Sequence, residues 1–162
     1  MKAIVQRVAS ASVTVNNEII SEIGKGICVL VGLSRDDSVA DVDYLVRKLI
    51  NMRIFEGDDG KKWNLSVKDK GYEVLCCSQF TLYALMKGNK PDFHQSMAPD
   101  KSRELYQLFV DKMKQNYKPD LVKEGRFQTF CHVNIVNDGP VTICLESPKA
   151  KSSTDEIKDN DS

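Results

Sequence analysis

The chain has 162 residues, 41% of them hydrophobic and 28% charged, with 23 basic and 23 acidic side chains. That is one domain of ordinary globular sequence, with enough apolar material for a core that needs no disulfide staples. The zero net charge excludes bulk attraction to polyanions, so any nucleic-acid contact needs a local basic patch.

In chain order, residues 2–8 alternate in part and read as a strand. Residues 12–15 and 18–23 are two short strand-like pieces around Asn16-Asn17, a pair that tolerates positive φ and predicts a tight hairpin. After the Gly24-Lys25-Gly26 turn, residues 27–33 are nearly all apolar, as in a central strand buried on both faces. Val39, Val42, Leu45, Val46 and Leu49 have helical spacing, with Asp37 or Ser38 as cap, which predicts a helix over 38–52. Gly57-Asp58-Asp59-Gly60 is a turn. Residues 72–82 read as a strand ending in polar groups, and 83–98 as a loop rich in Lys, Gly, Asn and Pro. Pro99 suits the first position of a second helix, which Leu105, Leu108, Phe109 and Met113 carry to about Tyr117. Residues 131–136 and 141–146 are two strands joined by Asn137-Asp138-Gly139-Pro140. The expected class is α+β, with a largely antiparallel, barrel-like sheet and two main helices. One domain spans 1–148, and the polar stretch 149–162 is expected to be disordered.

The opening Met-Lys-Ala-Ile-Val-Gln-Arg-Val sets charge inside what a signal peptide keeps apolar, and no run approaches the roughly 20 apolar residues of a membrane span. The expected location is cytoplasmic, with no membrane partner. Cys28, Cys76, Cys77, Cys131 and Cys144 are odd in number and lack C-x-x-C spacing. They read as buried thiols of a reducing compartment.

Common catalytic templates fail. Only His94 and His132 are present, with no H-E-x-x-H, G-x-S-x-G or phosphate-binding glycine loop. Cys131 and His132 are neighbours that a strand points to opposite faces. Ligand spacing for a metal is missing, and no cofactor is expected. His94 reads as a surface group rather than a base. Two stretches stand out. Ser78-Gln79-Phe80-Thr81-Leu82 follows an apolar run, so its hydroxyls and backbone N–H groups can line a pocket and face a developing oxyanion. It can equally be a polar edge-strand end. Asn137-Asp138-Gly139-Pro140-Val141-Thr142 combines turn residues with Gly-Pro, a pair that bares its carbonyls; a plain hairpin turn is the simpler reading.

S-Q-F-T-L and N-D-G-P-V-T, in this order and about sixty residues apart, resemble the paired signatures of the D-aminoacyl-tRNA deacylases. The opening M-K-A-I-V-Q-R-V-x-x-A-S-V-T-V, the piece K-G-N-K-P-D-F-H from Lys87 to His94, and the ending T-I-C-L-E-S-P are similar to the same family. The likeness runs from Met1 to about Pro148. It implies a homodimer with each active site at the interface. Ser78, Gln79, Phe80 and Thr81 line the catalytic pocket, and a cis Gly139-Pro140 reaches in from the partner. Arg7 fixes that loop, and Asn137 and Phe127 belong to the same substrate-binding set. The implied reaction is hydrolysis of the D-aminoacyl-tRNA ester. L-residues are rejected by the Gly-Pro carbonyls, and glycyl-tRNA falls within the same logic. Thr81 as a covalent nucleophile is the weaker alternative, since no partner base is visible. Lys87, Lys90 and Arg126, and further Lys112, Lys114, Lys118 and Lys123, are candidate phosphate contacts for tRNA. The chain departs from the family pattern at Gln128, Thr129 and Cys131, where a Gly, a small residue and a Met are usual; larger or more polar groups there narrow the expected pocket. The competing reading is a nucleic-acid-binding, replication-associated module that keeps the fold without strong deacylase activity.

Overall fold

A computed structural model describes residues 1–149, so the expectation of a disordered tail lies largely outside the described residues. The strands are β1 (Lys2–Val15), β2 (Glu18–Ile23), β3 (Gly26–Gly32), β4 (Glu73–Ser78), β5 (Leu85–Lys87), β6 (Lys90–Asp92), β7 (Val122–Glu124) and β8 (His132–Glu146). The helices are α1 (Val39–Asn51), α2 (Val67–Lys70) and α3 (Pro99–Asn116). The α+β class is as expected. The short α2 adds a third helix, closed by a Ser66–Asp69 capping box and by Gly71 in the left-handed region.

The predicted pieces 2–8 and 12–15 are one strand. The long β1 pairs antiparallel with β3 through its first half, with β2 through its second, and with β8 along the other edge. Asn16 and Asn17, at φ 49° and 66°, make the predicted turn between β1 and β2. Parallel pairing then joins β3 to β4 and β4 to β7. At the far side Ser21 on β2 donates through its hydroxyl to the Glu124 carbonyl at the end of β7, 2.5 Å away, so the sheet curls nearly closed.

Alternation along the central strands sorts the core into two layers. Ile27, Val29 and Val31 of β3, with Val74 and Cys76 of β4, face α1 and α3. There they meet Leu45, Leu49, Phe109 and Met113. Cys28, Leu75 and Cys77 point into the curl, against Val8, Ala11, Val13 and Ile23. The predicted double burial of β3 follows from its place between β1 and β4.

Tyr106 on α3 ties helix to sheet. Its hydroxyl donates to the Cys76 carbonyl over 3.1 Å, and burial pushes its pKa well up. The same carbonyl also accepts from the Gly125 N–H at 2.9 Å. Tyr106→Phe therefore leaves no orphaned acceptor, and the expected cost is about 1 kcal/mol of unfolding free energy in denaturant titration.

Three local expectations are corrected. The strand foreseen over 72–82 stops at Ser78. The Gln79 N–H makes a last rung to the Val31 carbonyl at 2.7 Å, and residues 80–83 wind into a 3-10 turn. That turn lies over Gly32, where a Cβ would stand 2.9 Å from the Leu82 Cβ. The loop foreseen over 83–98 holds the β5–β6 hairpin, turning at Gly88 with φ 61°. The two strands foreseen over 131–136 and 141–146 are not a hairpin. Both run antiparallel to β1 on the same edge and are one strand, β8, interrupted by a bulge.

The cysteine expectation holds in part. Cys28, Cys76 and Cys77 are buried, Cys131 is half-buried and Cys144 is exposed.

Candidate functional site

The bulge in β8 is built by register. Gln6 pairs with Thr142 and Val8 with Asn137, so residues 138–141 stand opposite Arg7 alone and leave the ladder. Arg7 then fills the gap. Its Nε donates to the Asp138 carbonyl at 3.0 Å, and its Nη1 to the Ile54 carbonyl at 2.7 Å, just beyond α1. The Asp138 carboxylate lies 3.5 Å from Nε. Asn137 closes the bulge from within: its Oδ1 accepts from the Val141 N–H at 2.7 Å, and its Nδ2 donates to the Thr142 hydroxyl at 2.9 Å. Gly139 and Pro140 form the exposed tip, joined by a cis peptide bond.

The other segment sits where β3 and β4 end. Ser78 and Gln79 are half-buried; Phe80 and Thr81 are exposed. The Gln79 side-chain amide bonds the Thr81 hydroxyl. Among the described residues, the N–H groups of Phe80 and Thr81 have no acceptor, as befits the first residues of a helical turn. Two side chains that the sequence did not single out brace this turn. Phe93 meets the Phe80 ring edge-on, centroids 5.0 Å apart, and the Ser96 hydroxyl donates to the Phe80 carbonyl at 3.1 Å. Their nearness needs the β5–β6 hairpin to fold back, which composition did not show.

Phe127 follows the end of β7, which runs beside β4, and stacks on Tyr106 with centroids 5.7 Å apart. It therefore lies on the same end of the sheet as Ser78 and Gln79. The three departures from the family pattern follow it. Gln128 is exposed with φ 50°, Thr129 is half-buried, and Cys131 packs against the inner core layer.

Within one chain the two segments do not meet. Ser78 pairs with Val31, and Val31 with Ala3, whereas the bulge faces Arg7. Four residues along β1 and three strand spacings across the sheet put them about 20 Å apart.

Lys87 and Lys90 are exposed and face each other on the β5–β6 hairpin, and Arg126 is exposed beside Phe127. Lys112 is engaged by Asp43. His94 lies on Asp92, and that contact, with Lys87 at 3.4 Å, holds the Asp92 carboxyl below its usual range. Burial pushes the Cys76 thiol well up; the bond to Cys28 and then burial do the same to Cys77. Both thiols thus stay protonated and unreactive. Among the described residues no group of three or more His, Cys, Asp or Glu is arranged to hold a metal ion, and no helix is long and apolar enough to cross a membrane.

The nearly closed sheet carries its main helices on one face, with the 3-10 turn and the arginine-pinned bulge as its two exposed special segments. The model described as D-Tyr-tRNA(Tyr) deacylase matches residues 4–146, and the chain belongs to that family; it is a hydrolase of the D-aminoacyl-tRNA deacylase class. Among its relatives, D-aminoacyl-tRNA deacylase 1 of Mus musculus is 51% identical over 98% of this chain and 76% of its own length. The D-aminoacyl-tRNA deacylase of Drosophila melanogaster is 50% identical over 97% of this chain and 99% of its own. A solved structure titled c-Myc DNA Unwinding Element Binding Protein superposes with a TM-score of 0.90 at 52% identity, covering 92% of this chain and all of that one.

Proposed function

We propose that this chain hydrolyses the ester joining a D-amino acid to the 3′ end of tRNA, in the cytoplasm, as a homodimer. Each site combines the Ser78-Gln79-Phe80-Thr81 turn of one copy with the Gly139-Pro140 tip of the other. The observation that carries this reading is register: within one chain the tip stands opposite Arg7, while Ser78 lines up with Ala3 and lies three strands from the tip. A two-fold axis sets the same patch of two copies face to face and can bring one copy's tip to the other's turn. Apolar surface supports it: Phe130 is 85% exposed just before β8, and Val136 is 54% exposed next to the bulge. Burying such groups against a second copy is a usual solution.

The chemistry asks little of side chains, because an aminoacyl ester is already activated. Water attacks the carbonyl carbon, and the negative charge that grows on oxygen is met by the free N–H groups of Phe80 and Thr81. The proton is handled in part by the 2′-hydroxyl of the terminal adenosine. Chirality is sensed by main chain. The carbonyls of Gly139 and Pro140 crowd one side of the substrate Cα, where a hydrogen fits and an L side chain does not. A D side chain points away and is not read, and glycine passes the same filter.

The test is release of amino acid from charged tRNA. D-tyrosyl-tRNA and glycyl-tRNA are cleaved and L-tyrosyl-tRNA is spared; cleavage of the L-ester at a similar rate, or a chain that stays monomeric in sedimentation, defeats the proposal. Thr81→Ala separates main chain from nucleophile. The expected loss in kcat/KM is less than about tenfold, since the N–H groups remain. Complete loss in a folded variant that still binds tRNA makes Thr81 the nucleophile instead. A second reading has one observation in its favour, the DNA-binding title of the solved relative at 52% identity. Binding to duplex DNA without D-tyrosine release would select it.

A further inference from the structure

We infer that Arg103, clasped between Phe127 and Gln128, binds the phosphate that joins the last two nucleotides of the tRNA substrate. This rests on the site proposed above. Arg103 lies one turn into α3, three residues before Tyr106, whose hydroxyl anchors the helix to the carbonyl of Cys76 near the end of β4. The Arg103 guanidinium carbon sits 4.9 Å from the centre of the Phe127 ring, and Phe127 also stacks on Tyr106, centroids 5.7 Å apart. Nη2 donates to the Gln128 side-chain carbonyl at 3.1 Å. Arg103 is exposed, and among the described residues it pairs with no carboxylate. Its other N–H groups make no hydrogen bond among the described residues.

Gln128 is the telling member. It holds φ 50°, a left-handed backbone that favours glycine and costs another L-residue about 1 kcal/mol. A side chain is nevertheless present there, and the hydrogen bond it makes is to Arg103. Glycine would relieve the backbone but leave the guanidinium untethered. An arginine held over an aromatic ring and tethered through one nitrogen can present paired donors to a phosphate, which a lysine at the same place cannot do.

The position fits the end of the tRNA. Phe127 stacks on Tyr106, which anchors to Cys76 two residues before Ser78, so the guanidinium lies at the end of the sheet that carries the turn proposed to hold the ester. The first phosphate on the 5′ side of the terminal adenosine is the nearest anion of the substrate. The occupant is thus a nucleotide phosphodiester at the rim of the site, not the amino acid.

Two substrates test this: D-tyrosyl-tRNA, and D-tyrosyl adenosine, which has the ester but no phosphate. The readout is the ratio of kcat/KM on the first to that on the second. Arg103→Ala is expected to lower the ratio about tenfold, and Gln128→Gly, which frees the guanidinium, about threefold by the same reasoning. Affinity for uncharged tRNA is read in parallel, where Arg103→Ala lowers the slope of log K against log salt by about one. A ratio unchanged in Arg103→Ala, or a loss shared equally by both substrates, overturns the phosphate assignment and leaves Arg103 as packing for Phe127. A wild-type ratio in Gln128→Gly removes the tether. Failure of the wild-type chain to cleave either ester refutes the deacylase reading instead, and the uncharged-tRNA measurement still decides the role of Arg103.

Discussion

Gly139→Ala is expected to lower kcat/KM on D-tyrosyl-tRNA by about 100-fold or more while the protein stays folded. Gly139 holds φ 143°, a conformation L side chains rarely adopt. An added Cβ would stand 2.8 Å from both the N and the Cγ2 of Val141 and 3.3 Å from Nη2 of Arg7. None of these can yield freely. The Val141 N–H is held by Asn137, and the Arg7 side chain by the carbonyls of Asp138 and Ile54. The tip itself must move, and a shift of about 1 Å in groups proposed to frame the substrate is enough for a loss of that size. The fold is spared because residues 138–141 stand outside the β1–β8 ladder. The strain of about 1–3 kcal/mol falls on the tip, and the melting temperature drops by only a few degrees. A variant that melts like the parent and cleaves D-tyrosyl-tRNA at the parent rate removes the tip from the mechanism.

How much of this was legible beforehand depends on whether the deciding contact is local. The helix over residues 39–51 was readable because Val42, Leu45, Val46 and Leu49 carry their own period, and the core they meet is all on one side. The Asn16-Asn17 turn was readable because it needs only two residues that accept positive φ. The bulge was not. Asn137-Asp138-Gly139-Pro140 has the chemistry of a hairpin turn, and only its pairing partner, some 130 residues earlier, shows that both flanks run the same way. The end of β4 misled for a related reason. Phe80 and Thr81 favour extended structure by type, but the last rung to Val31 and the space over Gly32 bend the chain into a turn. The candidate site residues come from resemblance, and their separation across the sheet appears only with register. Arg103 escaped notice because its partner Gln128 is 25 residues away and reads in sequence as a mere departure from pattern.

That separation makes the strongest test one of complementation. Take one variant with a spoiled tip, Gly139→Ala, and one with a spoiled turn, Phe80→Pro. Proline removes the Phe80 N–H at a position where nothing among the described residues accepts it, at the first residue of a helical turn that tolerates proline. The preceding Gln79, at φ −147° and ψ 84°, is not helical, as a residue before proline should be. Loss of one oxyanion donor is expected to cost about 100-fold or more, so each variant alone is nearly inactive. Phe80→Leu, which keeps the N–H, controls for the missing ring. If the chain dimerises as proposed, co-expression with two tags yields homodimers and mixed dimers. In a mixed dimer the intact tip of the Phe80→Pro copy meets the intact turn of the Gly139→Ala copy, giving one working site of two. Random pairing therefore restores about a quarter of the parent activity, and a purified mixed dimer about half. If each chain used its own tip and its own turn, every site in the mixture would carry a defect, and activity would stay at the level of the single variants. No change in stability imitates recovery on mixing, so a mixture as inactive as its parts excludes a site shared across the two-fold axis.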